Sequence, residues 1–310
     1  MINDQTVGIG IYVFNGENYI DRALKSIADQ TIKIDKIFVS DNCSTDNTVK
    51  RIKIFALNHP ELEISLNINN KNLGFLKNAE IVVNMCDTNY LLLLHVDDYL
   101  LKDSIEILLY EHFKNPSLAL VAGQNHLVDH KGNELYSHKT INDILFNKGD
   151  IYEFLKLQNS YLPFSSVLHN TSILKEIKLN FKSKICDELY WPKVLTKYPI
   201  LVLGAAVVVR IIHSNQTTYS YARNPFTIYL FFKEHLEILS YEKRLLERKM
   251  AKTLLQNNYA DKIIGLAIFH LRHGAIYLFI SSIYYILLIK PMVFFSNNSL
   301  YRKIAKKIKL

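Results

Sequence analysis

Asp97 and Asp98 stand side by side at the end of "YLLLLHVDDYL", a run that opens with residues apolar enough for a protein core. Two adjacent carboxylates repel each other, and removal from water raises their pKa values unless a cation or several hydrogen bonds compensate. Positive charge is therefore expected there. Asp41 closes a second apolar run, "KIFVS", and Asp187 and Glu188 form another adjacent acid pair in "KICDELYW". His95 lies two residues before Asp97, and His213 follows "VVVRII". Such groups can hold a divalent ion, accept a hydrogen bond from a nucleotide base, or take a proton from a hydroxyl. Each also has a plainer reading: Asp41, Asp46 and Asp187 as helix caps, Asp97 as a strand-end acid, the histidines as hydrogen-bonded structural groups.

The elements that must position these residues alternate. "TVGIGIYVF", Thr6 to Phe14, reads as a strand with Val7, Ile9, Ile11 and Val13 on one face, and a helix follows with Ala23, Leu24, Ile27 and Ala28 at helical spacing. A strand over Lys36–Ser40 leads through "DNCSTDNT" to a helix carrying Val49, Ile52 and Phe55. A strand at "LEISLNI", a helix from about Gly74 to Met85 and a strand over Tyr90–Val96 come next. Ser104 can cap a helix through Ile105, Leu108 and Phe113, and "LALVAGQ" supplies a further strand. This alternation predicts an α/β fold with a mostly parallel sheet covered by helices on both faces. Ligands of such sheets bind beyond the carboxyl ends of the strands, where Asp41 and the Asp97/Asp98 pair fall.

The hydrophobic fraction of 49% and charged fraction of 21% describe a globular chain. The net charge of +8 carries no nucleic-acid signature, and Arg302, Lys303, Lys306, Lys307 and Lys309 place five of the cations in a C-terminal tail. Three scattered cysteines argue against a disulfide framework or zinc site and fit a reducing compartment. "MINDQTVGIG" shows no basic segment leading into an apolar one, so no secretory signal is expected and the location read is cytoplasmic.

Four segments in order resemble the family 2 inverting glycosyltransferases, which have the nucleotide-sugar-binding, Rossmann-like GT-A fold. "VGIGIYVFNGENYIDRALKSIADQT" is similar to that family's opening strand, Asn-Gly turn and helix; "IFVSDNCSTDNT" to its Asp-Asp-Gly-Ser-Thr-Asp segment; "NLGFLKNAE" to its Asn-x-Gly and helix; "LLHVDDYL" to its Asp-x-Asp motif, with His95 in place of the first acid. The resemblance covers about residues 5–225. It implies a catalytic domain over 1–225, with a nucleotide-sugar half to about residue 100 and an acceptor half beyond it, and a helical region over 226–310.

The resemblance also implies roles. Val13, Asn15, Glu17, Asp41, Asn72, Gly74, Lys77, His95, Val96 and Asp97 would contact the nucleotide-diphospho-sugar donor, with Asp41 accepting a hydrogen bond from the base, uracil in many members. Asp97 would coordinate Mn²⁺ or Mg²⁺, His213 could add a ligand, and Asp98 would support the loop. "FKSKICDELYWPKVL" resembles the stretch holding the general base, which nominates Asp187, or Glu188 with a shift of one residue. Ser165, Ser166 and Trp191 would lie on the side of a saccharide acceptor. The activity implied is inverting transfer from a UDP-sugar in bacterial surface polysaccharide, O-antigen or lipooligosaccharide synthesis. A sugar nucleotidyltransferase would want a Gly-rich loop with a basic residue after the first strand, and "VFNGENYI" has neither Lys nor Arg. A non-catalytic sugar-nucleotide relic is the other alternative.

"GAIYLFISSIYYILLI", Gly274 to Ile289, is uncharged over sixteen residues. As a helix it would reach about 24 Å, short of the roughly 30 Å hydrocarbon core. Burial within the protein and contact with a membrane surface are both open to it. Its tyrosines and the basic tail favour peripheral attachment at the inner face of the cytoplasmic membrane, which suits a polyprenyl-diphosphate-linked acceptor.

Overall fold

The computed structural model describes residues 5–137, 142–156, 162–178, 186–213, 224–239, 245–272 and 275–289. The first half follows the expected alternation: β1 (Val7–Val13), α1 (Ile20–Ala28), β2 (Lys36–Asp41), α2 (Thr48–Asn58), β3 (Glu63–Ile68), α3 (Phe75–Met85), β4 (Tyr90–His95), β5 (Tyr99–Leu100), α4 (Ser104–Lys114) and β6 (Leu120–Asp129). Then come β7 (Glu134–Ser137), β8 (Ile144–Phe146), α5 (Ile151–Lys156), β9 (Val167–Asn170), α6 (Thr171–Ile177), α7 (Cys186–Leu195) and β10 (Ile200–Ile212). Three further helices are α8 (Pro225–Leu239), α9 (Leu245–Arg272) and α10 (Ile276–Ile289).

The strands form one sheet in the order β3-β2-β1-β4-β9-β6-β10-β5, with β7 on β6 and β8 on β10. β3, β2, β1 and β4 run parallel, as do β6 and β10, and β9 lies antiparallel between β4 and β6. No strand is expected from the sequence over Val167–Asn170, because the four residues of β9 are too few to show a period of two. Ser104 opens α4 from inside the helix; Asp103 holds the cap position, and the Ser104 hydroxyl faces the carbonyls of Leu101 and Val207.

β1 and β4 are buried on both faces, as central parallel strands should be. Val7, Ile9, Ile11 and Val13 enter the core with Ile37, Val39, Leu92 and Leu94. The opposite face of β1 is pared to glycine because α3 presses on it. A Cβ on Gly10 would lie 2.4 Å from Val82 Cγ1.

The chain divides into two compact units, Met1–Asp150 with Gln158–Ile212, and Ile151–Leu157 with His213–Leu310. In the second, α8, α9 and α10 pack on one another and α5 packs on α9. His235 is buried in this bundle, with Nδ1 2.9 Å from the Tyr259 hydroxyl. No helix among the described residues is long and apolar enough to cross a membrane.

Two imidazoles are buried within the sheet unit. His169 on β9 stacks on Trp191 at 5.6 Å and 22°, and neither ring nitrogen has a hydrogen-bond partner. His112 on α4 places Nε2 3.0 Å from the Leu168 carbonyl. Burial disfavours the imidazolium and lowers the pKa of His112 to about 4 and that of His169 to about 3. The unfolded chain, with histidines near 6.5, therefore takes up these protons first. Stability should fall as pH drops below about 6.5 towards 4, by up to about 1.4 kcal/mol per pH unit for each histidine. His169→Phe keeps the stacking and removes two unsatisfied nitrogens. It should stabilise the protein by about 1–3 kcal/mol at neutral pH and shallow this acid dependence, read by urea denaturation at pH 7.5 and 5.0. An unchanged slope in the variant would contradict the assignment.

Candidate functional site

The carboxyl ends of the parallel strands bring the predicted residues together. Val13 lies beside Asp41 in the β1–β2 ladder and Tyr12 beside His95 in the β1–β4 ladder. Asp41 is fully buried. Its Oδ2 accepts the Ser44 N–H at 2.9 Å across a turn that holds Cys43 at a φ of 64°, while its Oδ1 is buried with no hydrogen-bond partner. A bare, buried carboxylate oxygen is an acceptor in want of a donor.

Asparagines build the walls around Asp41. Asn42 donates through Nδ2 to Asn72 Oδ1 at 2.9 Å and accepts the Leu73 N–H at 2.8 Å. Asn72 Oδ1 also accepts the N–H of Gly74, whose φ of 82° suits glycine as the residue before α3. Asn78, buried on α3, donates to the carbonyls of Ser40 at 2.8 Å and Val13 at 3.3 Å and accepts from Ser40 Oγ and Asn69 Nδ2. Sequence reasoning missed it, although its signal was an asparagine among Ala79, Val82 and Val83 on the apolar stripe of the helix.

The Asn-Gly turn after β1 is fastened to the segment after Asp41. Asn15 holds a φ of 49° and its side chain accepts the Thr45 N–H at 2.9 Å. Glu17 accepts from Asn47 N–H and Nδ2, each at 3.0 Å, and its own N–H donates to Asp46 at 3.1 Å. Burial alone would raise the Asp46 pKa, but donors from Thr48 and Glu17 hold it below the usual carboxylate value. Lys77 is engaged with Glu80 at 2.7 Å on the exposed side of α3.

The acid pair splits into two environments. After His95, the chain turns with the Asp98 N–H on the His95 carbonyl at 3.0 Å. Asp98 is buried, and its Oδ2 accepts the Ser165 hydroxyl at 2.7 Å, with Arg210 Nε at 3.9 Å and His95 Nδ1 at 3.7 Å. Burial and the charge of Asp97 push its pKa up to about 7, against the opposing pull of Arg210, Ser165 and the Ile211 N–H. Asp97 is only half-buried, and its carbonyl faces Arg22 at 3.5 Å. Val96, also half-buried, packs near Gly16. The His95 ring meets Tyr12 edge-on at 5.6 Å. One ligand atom from each of His95, Asp97 and Asp98 lies within 4.8 Å of the others.

The donor chemistry of this trio fits a divalent cation: one imidazole nitrogen with two carboxylates suits Mn²⁺, while Mg²⁺ prefers oxygen alone. Asp98 accepts from Ser165 and Ile211, while His95 and Asp97 lie half-buried at the same turn. His95 lies with the two acids in this grouping, whereas the resemblance implied a metal site of Asp97 with His213 as a further ligand. His213 opens the second unit directly after β10.

The residues expected on the acceptor side are closely packed. Ser165 and Ser166 are both fully buried. The Ser165 hydroxyl sits between the His95 N–H, which it accepts at 3.0 Å, and Asp98, and Ser166 donates to the Pro163 carbonyl at 3.0 Å. Trp191 is core, packed on Phe164, His169 and Tyr190. Asp187 and Glu188 fall in the first turn of α7, and their side chains lie outside the described residues.

The sequence pattern named Glycosyl transferase family 2 matches residues 9–177, more than half of the chain. The chain belongs to glycosyl transferase family 2. It is 34% identical over 127 residues to a chondroitin synthase of Escherichia coli, covering 41% of this chain and 18% of that protein. The chain spans less than a fifth of the length of that curated relative. It is 26% identical over 249 residues to a GalNAc(5)-diNAcBac-PP-undecaprenol beta-1,3-glucosyltransferase of Campylobacter jejuni, covering 79% of this chain and 78% of that one. Its fold matches the crystal structure of S. aureus TarS 1-349 in complex with UDP-GlcNAc, with a TM-score of 0.60 and 16% identity over 93% of this chain and 91% of that one. The architecture is thus the GT-A fold of this family.

In this family 2 chain, Ser165 is the joint on which the acid pair hangs. Ser165→Ala leaves the His95 N–H without its acceptor and Asp98 without the hydroxyl donor at 2.7 Å, and should cost about 1–3 kcal/mol in urea denaturation. A stability equal to wild type would show that the hydroxyl is dispensable.

Proposed function

We propose that the chain transfers a sugar, with inversion, from a nucleotide diphosphate donor to a saccharide acceptor in bacterial surface polysaccharide, O-antigen or lipooligosaccharide synthesis. The observation that carries this reading is the gathering of His95, Asp97 and Asp98 at the carboxyl end of β4, across β1 from the unsatisfied Asp41 at the end of β2, in a family 2 chain. A UDP-sugar is favoured because Asp41 Oδ1 is an open acceptor and the ring N3 of uracil carries a donor. The fold match to a structure holding UDP-GlcNAc supports the same choice.

His95 and Asp97 would hold Mn²⁺ or Mg²⁺, which when bound acts as a Lewis acid towards the negative charge of a leaving diphosphate. Asp98 keeps the loop that carries them in place. Asn15, Glu17, Asn72 and Gly74 shape the base and ribose side by fixing the loops around Asp41. Asp187, or Glu188 beside it, would take the proton of the acceptor hydroxyl as its oxygen bonds to the anomeric carbon and the bond to the diphosphate breaks. An α-linked donor then gives a β product. The catalytic region is assigned to residues 1–225 and the helical region to 226–310. The C. jejuni relative, whose name specifies a PP-undecaprenol glycan, supports an acceptor of that chemistry, for which the inner face of the cytoplasmic membrane would be the place of work.

UDP and Mn²⁺ together should raise the melting temperature where neither does so alone, since a ligand at about 100 times its Kd adds about 2.7 kcal/mol. Asp97→Asn should abolish this joint shift. With donor and acceptor glycan, UDP release should fall by roughly 10²- to 10⁴-fold in Asp187→Asn. Turnover equal to wild type would remove Asp187 from the mechanism and leave Glu188→Gln as the variant to examine.

A further inference from the structure

α10 is a helix that is apolar on both sides. Ser282, Ile286 and Ile289 are buried against the bundle. Tyr277, Ile280, Tyr284, Leu287 and Leu288 recur at steps of three and four and are 82%, 60%, 57%, 40% and 43% exposed. At 100° per residue these five fall within one sector about 100° wide, opposite the buried face. A solvent-facing stripe would ordinarily be polar, and a helix apolar all round asks for a second apolar environment. Phe226 of α8, itself exposed and 5.7 Å from the Tyr285 ring, extends the surface.

Charge singles out the same part of the chain. Residues 1–212 carry 22 Lys and Arg against 24 Asp and Glu, whereas residues 213–310 carry 15 against 5. The whole basic excess thus belongs to the unit that presents the stripe. An aromatic and aliphatic face within a strongly cationic unit matches the interface of an anionic bilayer: rings at headgroup depth, cations on the lipid phosphates. The helix has 14 residues, about 21 Å, too short to span, so it would lie in the interface plane.

We infer that the Tyr277, Ile280, Tyr284, Leu287 and Leu288 face of α10 is the surface by which this protein docks on a membrane of anionic phospholipid. The inference deepens the proposed placement at the membrane, and vesicle binding is read without donor or acceptor, so its failure is separate from a failure of sugar transfer.

The test is flotation of the full chain with vesicles of phosphatidylcholine alone or with about one third phosphatidylglycerol. Wild type should bind the anionic vesicles at least about tenfold better than the neutral ones, and raised salt should weaken the binding. The triple variant Tyr277→Ser, Ile280→Ser, Tyr284→Ser should lose about tenfold or more of the partitioning while keeping the UDP and Mn²⁺ thermal shift, which reports an intact fold. A second set, Lys303→Gln, Lys306→Gln and Lys307→Gln, should lose the preference for anionic lipid. Equal binding by wild type and the triple variant would overturn the inference. So would a wild type that ignores vesicles but self-associates in sedimentation, with the triple variant monomeric, because the occupant would then be a second copy of the chain.

Discussion

The site depends on one buried carboxylate. Asp98 is removed from water beside the charge of Asp97, and its ionised form is opposed by both circumstances. A buried acid of this kind persists only when donors converge on it. Here they come from two separate elements, the Ser165 hydroxyl before β9 and the Ile211 N–H on β10, with the Arg210 charge 3.9 Å away on the same strand. The carboxylate thereby ties the end of β4 to two strands remote in sequence. Its partner Asp97 is only half-buried beside an imidazole, so the two acids stand in different surroundings.

The Asp41 side obeys the same rule with neutral groups. Asn42, Asn69, Asn72 and Asn78 bond to one another and to the carbonyls at the ends of β1 and β2, so nearly every buried polar atom there is matched. Amides serve well because each offers donors and acceptors together. Within this matched lattice the unpaired Oδ1 of Asp41 stands out. An exception to hydrogen-bond satisfaction is most easily kept where something else is meant to supply the bond.

Much of this was legible in the residues because local rules and the fold agree. The parallel strands announce themselves as apolar runs ending in acids, and the helices between them keep a period near 3.6. The ends of those runs place Asp41 and the Asp97/Asp98 pair on one side of the sheet. What escaped was set by pairing over long separations. β9 has only four residues, and its identity as a strand comes from ladders to Leu91 and Val121. Ser165, Ser166 and Trp191 sat in a segment of the right character, but burial turned them into framework. The metal-like grouping of His95 with the acids rests on side-chain directions that a one-dimensional pattern does not carry.

The antiparallel insertion of β9 has a consequence for how the molecule is made. β4 and β6 share no ladder; they are joined only through a strand that leaves the ribosome some forty residues after β6 has been synthesised. The block from β1 to β4, with neighbours close in sequence, can assemble early, whereas β6 must wait with one edge open. Ser165 arrives with the same late segment. Completion of the sheet waits further for β10, which also brings Arg210 and Ile211 to Asp98, so a nascent chain halted before residue 165 would hold both aspartates without any of the partners that distinguish them.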